Sequence, residues 1–276
     1  MKHLTSCIPQ LDAVRIRLFP TYVLALLSAE TLFFQRGDPG QTRNFPVWTL
    51  RVPEGVICGG QPLYVEALAE LIGDFLAQQR LTGAHVYAAM PAEATCLPFS
   101  GNDWLESREL VALGQDQEGW IRVNHGHCRL LTRSDAVAAW ATVFEMADLV
   151  LDRLVPMMSC WIDFLATSCS SEQDHVRILK LCLGSHPRGL DALAVLNREV
   201  VWYSRFDHSG LGLWEAIDTR VGVMTDVDDL DHRIYLANSL RLPPGRCGGK
   251  RALQADCEVT MISSEDVLAV LASAQG

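Results

Sequence analysis

The feature that most constrains this chain is the order of its elements, because one run of strand and helix patterns starts at Tyr22 and begins again near Val176. In the first pass, Tyr22–Leu27 and Glu30–Gln35 read as strands joined by a tight Ser-Ala turn. The turn residues Gly37-Asp38-Pro39-Gly40 then lead to a third strand, Phe45–Val52. Val65, Leu68, Leu71, Ile72, Phe75 and Leu76 recur at intervals of three and four, the apolar stripe of a helix over Tyr64–Arg80. Gly83 closes that helix, and His85–Met90 is a short apolar strand stopped by Pro91. A polar, irregular stretch follows, with a hairpin expected from Trp120–Val123 and His127–Leu131. Ser134 is placed to cap a helix reaching Asp148, Leu149–Val155 reads as a strand, and Met157–Ala166 as a helix. In the second pass, Val176–Leu183, Leu190–Leu196 and Val200–Phe206 are strands, the last two joined around Asn197-Arg198-Glu199. A helix over Leu213–Arg220, strands at Arg233–Ala237 and Glu258–Ile262, and a final helix capped by Ser264 complete it.

Two consecutive units of three meander strands, each followed by alternating helices and strands, are the plan of an α/β duplicated ribonuclease-H-like, or actin-like, fold. Two lobes are expected, each with a mixed sheet flanked by helices. The division that follows is a poorly ordered lead-in over 1–20, a first lobe over 21–170 with an inserted subdomain at about 92–133, and a second, shortened lobe over 171–276.

Composition narrows the function. A formal net charge of -10 with no Lys/Arg block is a poor match for nucleic acid, whose phosphates require a basic face. The most apolar early run, Tyr22–Leu27, is broken by Ser28 and Glu30, far short of the roughly 18 residues that a spanning helix requires. The same run lacks the form of a signal peptide, so a cytoplasmic chain without direct membrane insertion is expected. The 9 cysteines are odd in number and scattered, with no C-x-x-C pair, which reads as reduced thiols.

The segment Val52-Pro53-Glu54-Gly55-Val56-Ile57, then Gly60, the helix pattern Val65–Leu81, Gly83 and His85–Pro91, resembles the PilM family. Asp135–Val155 is similar to that family's next helix and strand, and Ile234-Tyr235-Leu236-Ala237-Asn238-Ser239-Leu240-Arg241-Leu242-Pro243 to its adenosine-loop segment. The resemblance implies an actin fold and a scaffold that binds the short cytoplasmic tail of a PilN-like inner-membrane protein. Other platform proteins of a type IV pilus or type II secretion machine are implied as further partners, with peripheral attachment to the inner membrane. The cytoplasmic lobes of GspL, MshI and HofM are relatives in which nucleotide binding has been lost in several cases.

An actin-like ATPase turns two hairpins on glycine around the phosphates, and each carries an Asp that orients Mg²⁺ and water. On the resemblance, those tripeptides fall at Leu26-Leu27-Ser28 and Cys182-Leu183-Gly184, and the adenosine loop at Ala237-Asn238-Ser239. Both carboxylates are missing, and only Gly184 remains of the glycines; a plain hairpin glycine is the simpler reading there. Without hard oxygen ligands for Mg²⁺, neither catalytic residues nor a cofactor are expected, and the chain reads as a non-enzyme. The alternative is a divergent actin-like ATP-binding protein of the same machinery, and a sugar-kinase-like transferase lacks its catalytic Asp. Gly245-Arg246-Cys247-Gly248-Gly249-Lys250 fails as a phosphate loop, since Pro244 stands at the first glycine. His125-Gly126-His127-Cys128 has no distant partner to close a zinc site. Asp226, Asp228, Asp229, Asp231 and His232 lack the glycine and glutamate of a calcium loop and read as a solvated loop. No metal is expected.

Overall fold

A computed structural model describes residues 20–37, 45–97, 119–126, 128–168, 178–186, 189–207, 219, 231–237 and 258–273. The first pass forms β1 (Tyr22–Leu26), β2 (Thr31–Gly37), β3 (Val47–Arg51), a small hairpin of β4 (Ile57–Cys58) and β5 (Gln61–Pro62), α1 (Val65–Gln78) and β6 (His85–Met90). A 3-10 turn, Ala92–Ala94, leads to β7 (Thr95–Cys96), β8 (Trp120–His125) and β9 (Cys128–Arg133). The pass ends with α2 (Ser134–Met146), β10 (Val150–Pro156) and α3 (Met157–Thr167). The second pass gives β11 (Ile178–His186), β12 (Gly189–Leu196), β13 (Glu199–Asp207), β14 (Asp231–Ala237), β15 (Glu258–Met261) and α4 (Ser264–Ser273).

The strands assemble into two five-stranded sheets with one plan. The orders are β10-β6-β1-β2-β3 and β13-β12-β11-β14-β15. In each, the first three strands form an antiparallel meander, and the first pairs in parallel with the fourth, which pairs in parallel with the fifth. The duplication read from element order is therefore repeated in strand order and direction. A separate three-stranded sheet, β7-β9-β8, stands beside the first lobe.

Alternation along β1 explains the layering. Val23 and Ala25 face a core filled by Leu68, Ile72 and Leu76 of α1 and Trp140, Val143 and Phe144 of α2. Leu24 and Leu26 point the other way, into a core between the lobes. There they meet Met157, Met158, Trp161 and Leu165 of α3, Leu268 and Leu271 of α4, and Cys182, Leu193 and Tyr235 from the second sheet. The second sheet's outer face, with Leu179, Leu181, Leu183 and Trp202, forms a third cluster. Central strands buried on both faces read as continuous apolar runs, which β1 is and β12 is apart from Asp191.

Two helix starts differ from expectation. α2 begins at Ser134 itself, and Arg133 stands at its N-cap without a side-chain bond. α4 is capped one residue earlier than Ser264. The Ser263 hydroxyl accepts the Asp266 N–H at 3.1 Å, and Asp266 Oδ2 accepts the Ser263 N–H at 2.8 Å. That reciprocal capping satisfies two donors which Ser264 leaves open. The β12–β13 turn is as expected: Asn197 and Arg198 hold φ of 51° and 67°, the left-handed pair of a two-residue hairpin.

Candidate functional site

The seam between the lobes is built by α3, because each sheet ends by sending a helix inward. Seven residues of α3, Met157 to Ile162 and Leu165, are buried, so this helix is apolar on most sides and meets water only at its Asp163–Thr167 edge. Of the sequence-predicted loop positions, Leu26, Cys182, Gly184 and Ala237 lie on the seam, whereas Leu27 packs into the first lobe's own core and Leu183 into the outer cluster of the second sheet. Leu26 is 4% exposed and Leu27 0%, the latter donating its N–H to the Ala89 carbonyl at 2.9 Å. The Ser28 hydroxyl donates to the Thr31 carbonyl at 2.6 Å and accepts the Thr31 N–H at 3.1 Å, so this side chain closes its own turn.

Cys182, Leu183 and Gly184 lie inside β11, which runs on to His186, so Gly184 is a strand glycine rather than a hairpin glycine. Its lack of a side chain has a local cause. A Cβ there would lie 2.3, 2.8 and 2.9 Å from Cη2, Cζ2 and Cζ3 of Trp161, so the indole rests on the bare strand. Trp161 is 1% exposed and its Nε1 is buried without a hydrogen-bond partner. Cys182 is wholly buried, and burial pushes its thiol pKa up. Ala237, in register with Gly184 on β14, is buried as well; Asn238 and Ser239 fall outside the described residues.

One carboxylate does occupy this face of the second sheet, and sequence reasoning missed it. Asp191 on β12 pairs with Gly184 in register and is 0% exposed. It accepts the Tyr203 hydroxyl at 2.9 Å, Arg205 Nε at 2.7 Å and Arg205 Nη2 at 3.1 Å. Burial first, then the adjacent Asp191 charge, raises the Tyr203 pKa well above its ordinary value, so the phenol stays protonated and donates. Burial works against the Arg205 charge, but Tyr203 and Asp191 outweigh it and raise the guanidinium's pKa. The signal that could have found it is a charged residue inside Gly189-Leu190-Asp191-Ala192-Leu193-Ala194, an otherwise apolar strand.

A Mg²⁺–triphosphate unit finds no oxygen ligand in the side chains of Leu26, Leu27, Cys182, Leu183 or Ala237, and Asp191 is committed to Arg205 and Tyr203. Among the described residues, no group of three or more His, Cys, Asp or Glu is arranged to hold a metal. Of the histidine–cysteine turn, His125 Nε2 meets Asp163 Oδ1 of α3 at 2.8 Å, and His127 lies outside the described residues. Asp231 and His232 open β14 rather than closing a loop, while Asp226, Asp228, Asp229 and the Gly245–Lys250 turn lie outside the described residues. Among the described residues, no helix is long and apolar enough to cross a membrane.

Two sheets of one order and direction, each followed by a helix packed into a shared seam, define the duplicated actin-like class of fold. No protein-family model matches the sequence, and no curated protein matches it. Among solved structures, a chain of the PilM-PilN type IV pilus biogenesis complex is similar at TM-score 0.60 and 15% identity, over 92% of this chain and 98% of that one. A protein of unknown function with an actin-like ATPase fold, from Bacteroides thetaiotaomicron VPI-5482, is similar at TM-score 0.52 and 9% identity, over 91% and 95%. The cytoplasmic domain of EpsL, an inner-membrane component of the type II secretion system of Vibrio cholerae, gives TM-score 0.48 and 12% identity over 93% and 96%. The first two likenesses establish the actin-like fold.

Proposed function

We propose that the chain is a non-catalytic, cytoplasmic scaffold of a type IV pilus or related type II secretion platform, docking the cytoplasmic tail of a PilN-like inner-membrane protein. One observation carries the non-catalytic half: the Trp161 indole lies 2.3 Å from where a Gly184 Cβ would stand, so a side chain fills the space over the second loop position. A phosphate cradle needs backbone N–H groups open to an anion, and here Gly184 lies within a strand and is covered by ring carbon. The partner half is supported by the similarity, end to end, to a chain of the PilM-PilN complex. The docking site we assign to the tail is the groove between the first lobe and the inserted subdomain, bordered by residues 91–133. Ile121 there is 42% exposed, and β8 pairs only with β9 among the described residues. An extended tail would add to that edge through main-chain bonds.

Two measurements test this. Mg-ATP at millimolar concentration is expected to leave the unfolding temperature unchanged, whereas a ligand at 1,000 times its Kd stabilises by about 4 kcal/mol. The cytoplasmic tail of a PilN-like protein from the same organism is expected to co-purify with it, and an Ile121→Asp variant to lose that tail. A clear Mg-ATP shift would return the chain to the ATP-binding class, and failure to retain the tail would remove the docking role.

A further inference from the structure

We propose that Arg205 is a built-in latch that fixes the two lobes in one arrangement, making from side-chain and main-chain atoms the bridge across the seam that a nucleotide would otherwise make. Arg205 belongs to β13 of the second lobe and is held there by the buried Asp191 carboxylate through Nε at 2.7 Å and Nη2 at 3.1 Å. Its far side reaches the first lobe. Nη2 donates to the carbonyls of Ala92 and Thr95, both at 2.9 Å, and Nη1 to that of Glu93 at 3.3 Å. Ala92 and Glu93 belong to the turn that links β6 to β7 and Thr95 opens β7, all more than 100 residues away along the chain. A planar guanidinium suits this role, since its rigid fork satisfies a carboxylate on one edge and carbonyls on the other, which a lysine ammonium does not.

Other contacts across the seam act in the same sense. The Lys180 ammonium of β11 donates to the Leu165 carbonyl at the end of α3, where cationic donors complement the helix dipole. The Cys128 thiol at the tip of the β8–β9 hairpin lies beside the Val200 backbone of β13. His125, from the same hairpin, is tied to Asp163 of α3. Trp161 fills the space beneath. A buried charge pair such as Asp191–Arg205 is a weak source of net stability but holds the guanidinium in one place, so any swing of the lobes takes the first-lobe carbonyls of Ala92, Glu93 and Thr95 away from it. The consequence is a strut without a hinge. The inference stands on the seam geometry and holds whichever machine the chain serves.

The test is amide hydrogen exchange of the full chain in graded urea, comparing β6 of the first lobe with β12 of the second. In the wild type, the core amides of both strands are expected to share one urea dependence, as parts of one opening unit. Arg205→Lys is expected to split them into two classes, with the second-lobe strand exchanging at least tenfold faster than the first-lobe strand. Tyr203→Phe, which removes one hydroxyl from the same carboxylate, is expected to do the same in smaller measure, and it serves should Arg205→Lys fail to fold. Two classes in the wild type, or a uniform loss in both lobes of the variants, would overturn the latch. Mg-ATP is added as a further arm: if it restores one class in Arg205→Lys, the latch stands and the nucleotide-independent reading falls.

Discussion

Gly184→Ala separates a packing glycine from a phosphate glycine by the sign of its effect. Where the native backbone accepts alanine, the change stabilises by roughly 0.4–1 kcal/mol, because the unfolded chain has less freedom to lose. Here the new methyl would sit 2.3 Å from Trp161 Cη2, with Cζ2 and Cζ3 at 2.8 and 2.9 Å, all closer than carbon atoms approach. The indole has nowhere to go, since α3 is buried around it and Trp161 itself is 1% exposed. Overpacking of this kind costs about 1–3 kcal/mol, which outweighs the entropic gain. For a chain of this length that lowers Tm by roughly 2–12 °C. The assay is urea unfolding of Gly184→Ala in the wild-type and Trp161→Leu backgrounds. Removing the indole opens the space, so the alanine should become neutral or favourable there, with a coupling of about 1–3 kcal/mol between the two sites. A Gly184→Ala chain as stable as the wild type, or a loss of equal size in both backgrounds, refutes the packing argument. It would leave the glycine available to an anion.

Four further outcomes follow from the packing and the helix caps. Trp140→Phe removes the 2.9 Å bond from Nε1 to the Gly60 carbonyl and strands that oxygen inside, so urea unfolding should show a loss of about 1–3 kcal/mol. Gly60→Ala should also destabilise, because φ is +77° there and a Cβ would lie 2.7 Å from the Ala94 backbone nitrogen. Ser263→Ala breaks the cap of α4 and should cost about 1 kcal/mol by the same measurement, whereas Ser264→Ala should cost little. Burial raises the pKa of Cys96 from 9.0 to about 11 and of Cys160 from 9.0 to about 12. The folded state therefore keeps these thiols protonated where the unfolded chain has lost the proton. Stability is fully present below pH 9 and falls as pH rises through the folded values, and Cys160→Ala should flatten that slope in unfolding curves taken from pH 8 to 11.

The parts of the fold legible in the sequence were those with a local period. The three-and-four spacing of α1 and the apolar run of β6 gave both elements within two residues of their bounds, because each pattern repeats inside a dozen positions. The β4–β5 hairpin, with two residues per strand, is too short to have a period, and it is held in place by tertiary contacts such as Trp140 to Gly60. Gly184 was visible as a glycine but not as a strand position, since its reason lies on α3, more than 20 residues earlier.

The Asp191–Arg205 pair shows most plainly why a seam is harder to read than a sheet. Counting back from the two-residue turn at Asn197-Arg198, a regular hairpin would set Asp191 opposite Ser204 and turn Arg205 to the other face. The chain instead carries a register shift between Ala194 and Val195, so that Leu193 faces Tyr203 and Asp191 faces Arg205. One extra residue on β13, at Val201, turns Tyr203 and Arg205 together toward the first lobe. A bulge leaves no mark in hydrophobic alternation that a single sequence reveals. Yet without it the buried carboxylate would lose its cation, and the carbonyls of Ala92, Glu93 and Thr95 would lose their donor from the second lobe. Deleting Val201 is thus the sharpest perturbation of the seam: it restores regular pairing, keeps every seam residue in the chain, and should separate the lobes' exchange behaviour as Arg205→Lys does.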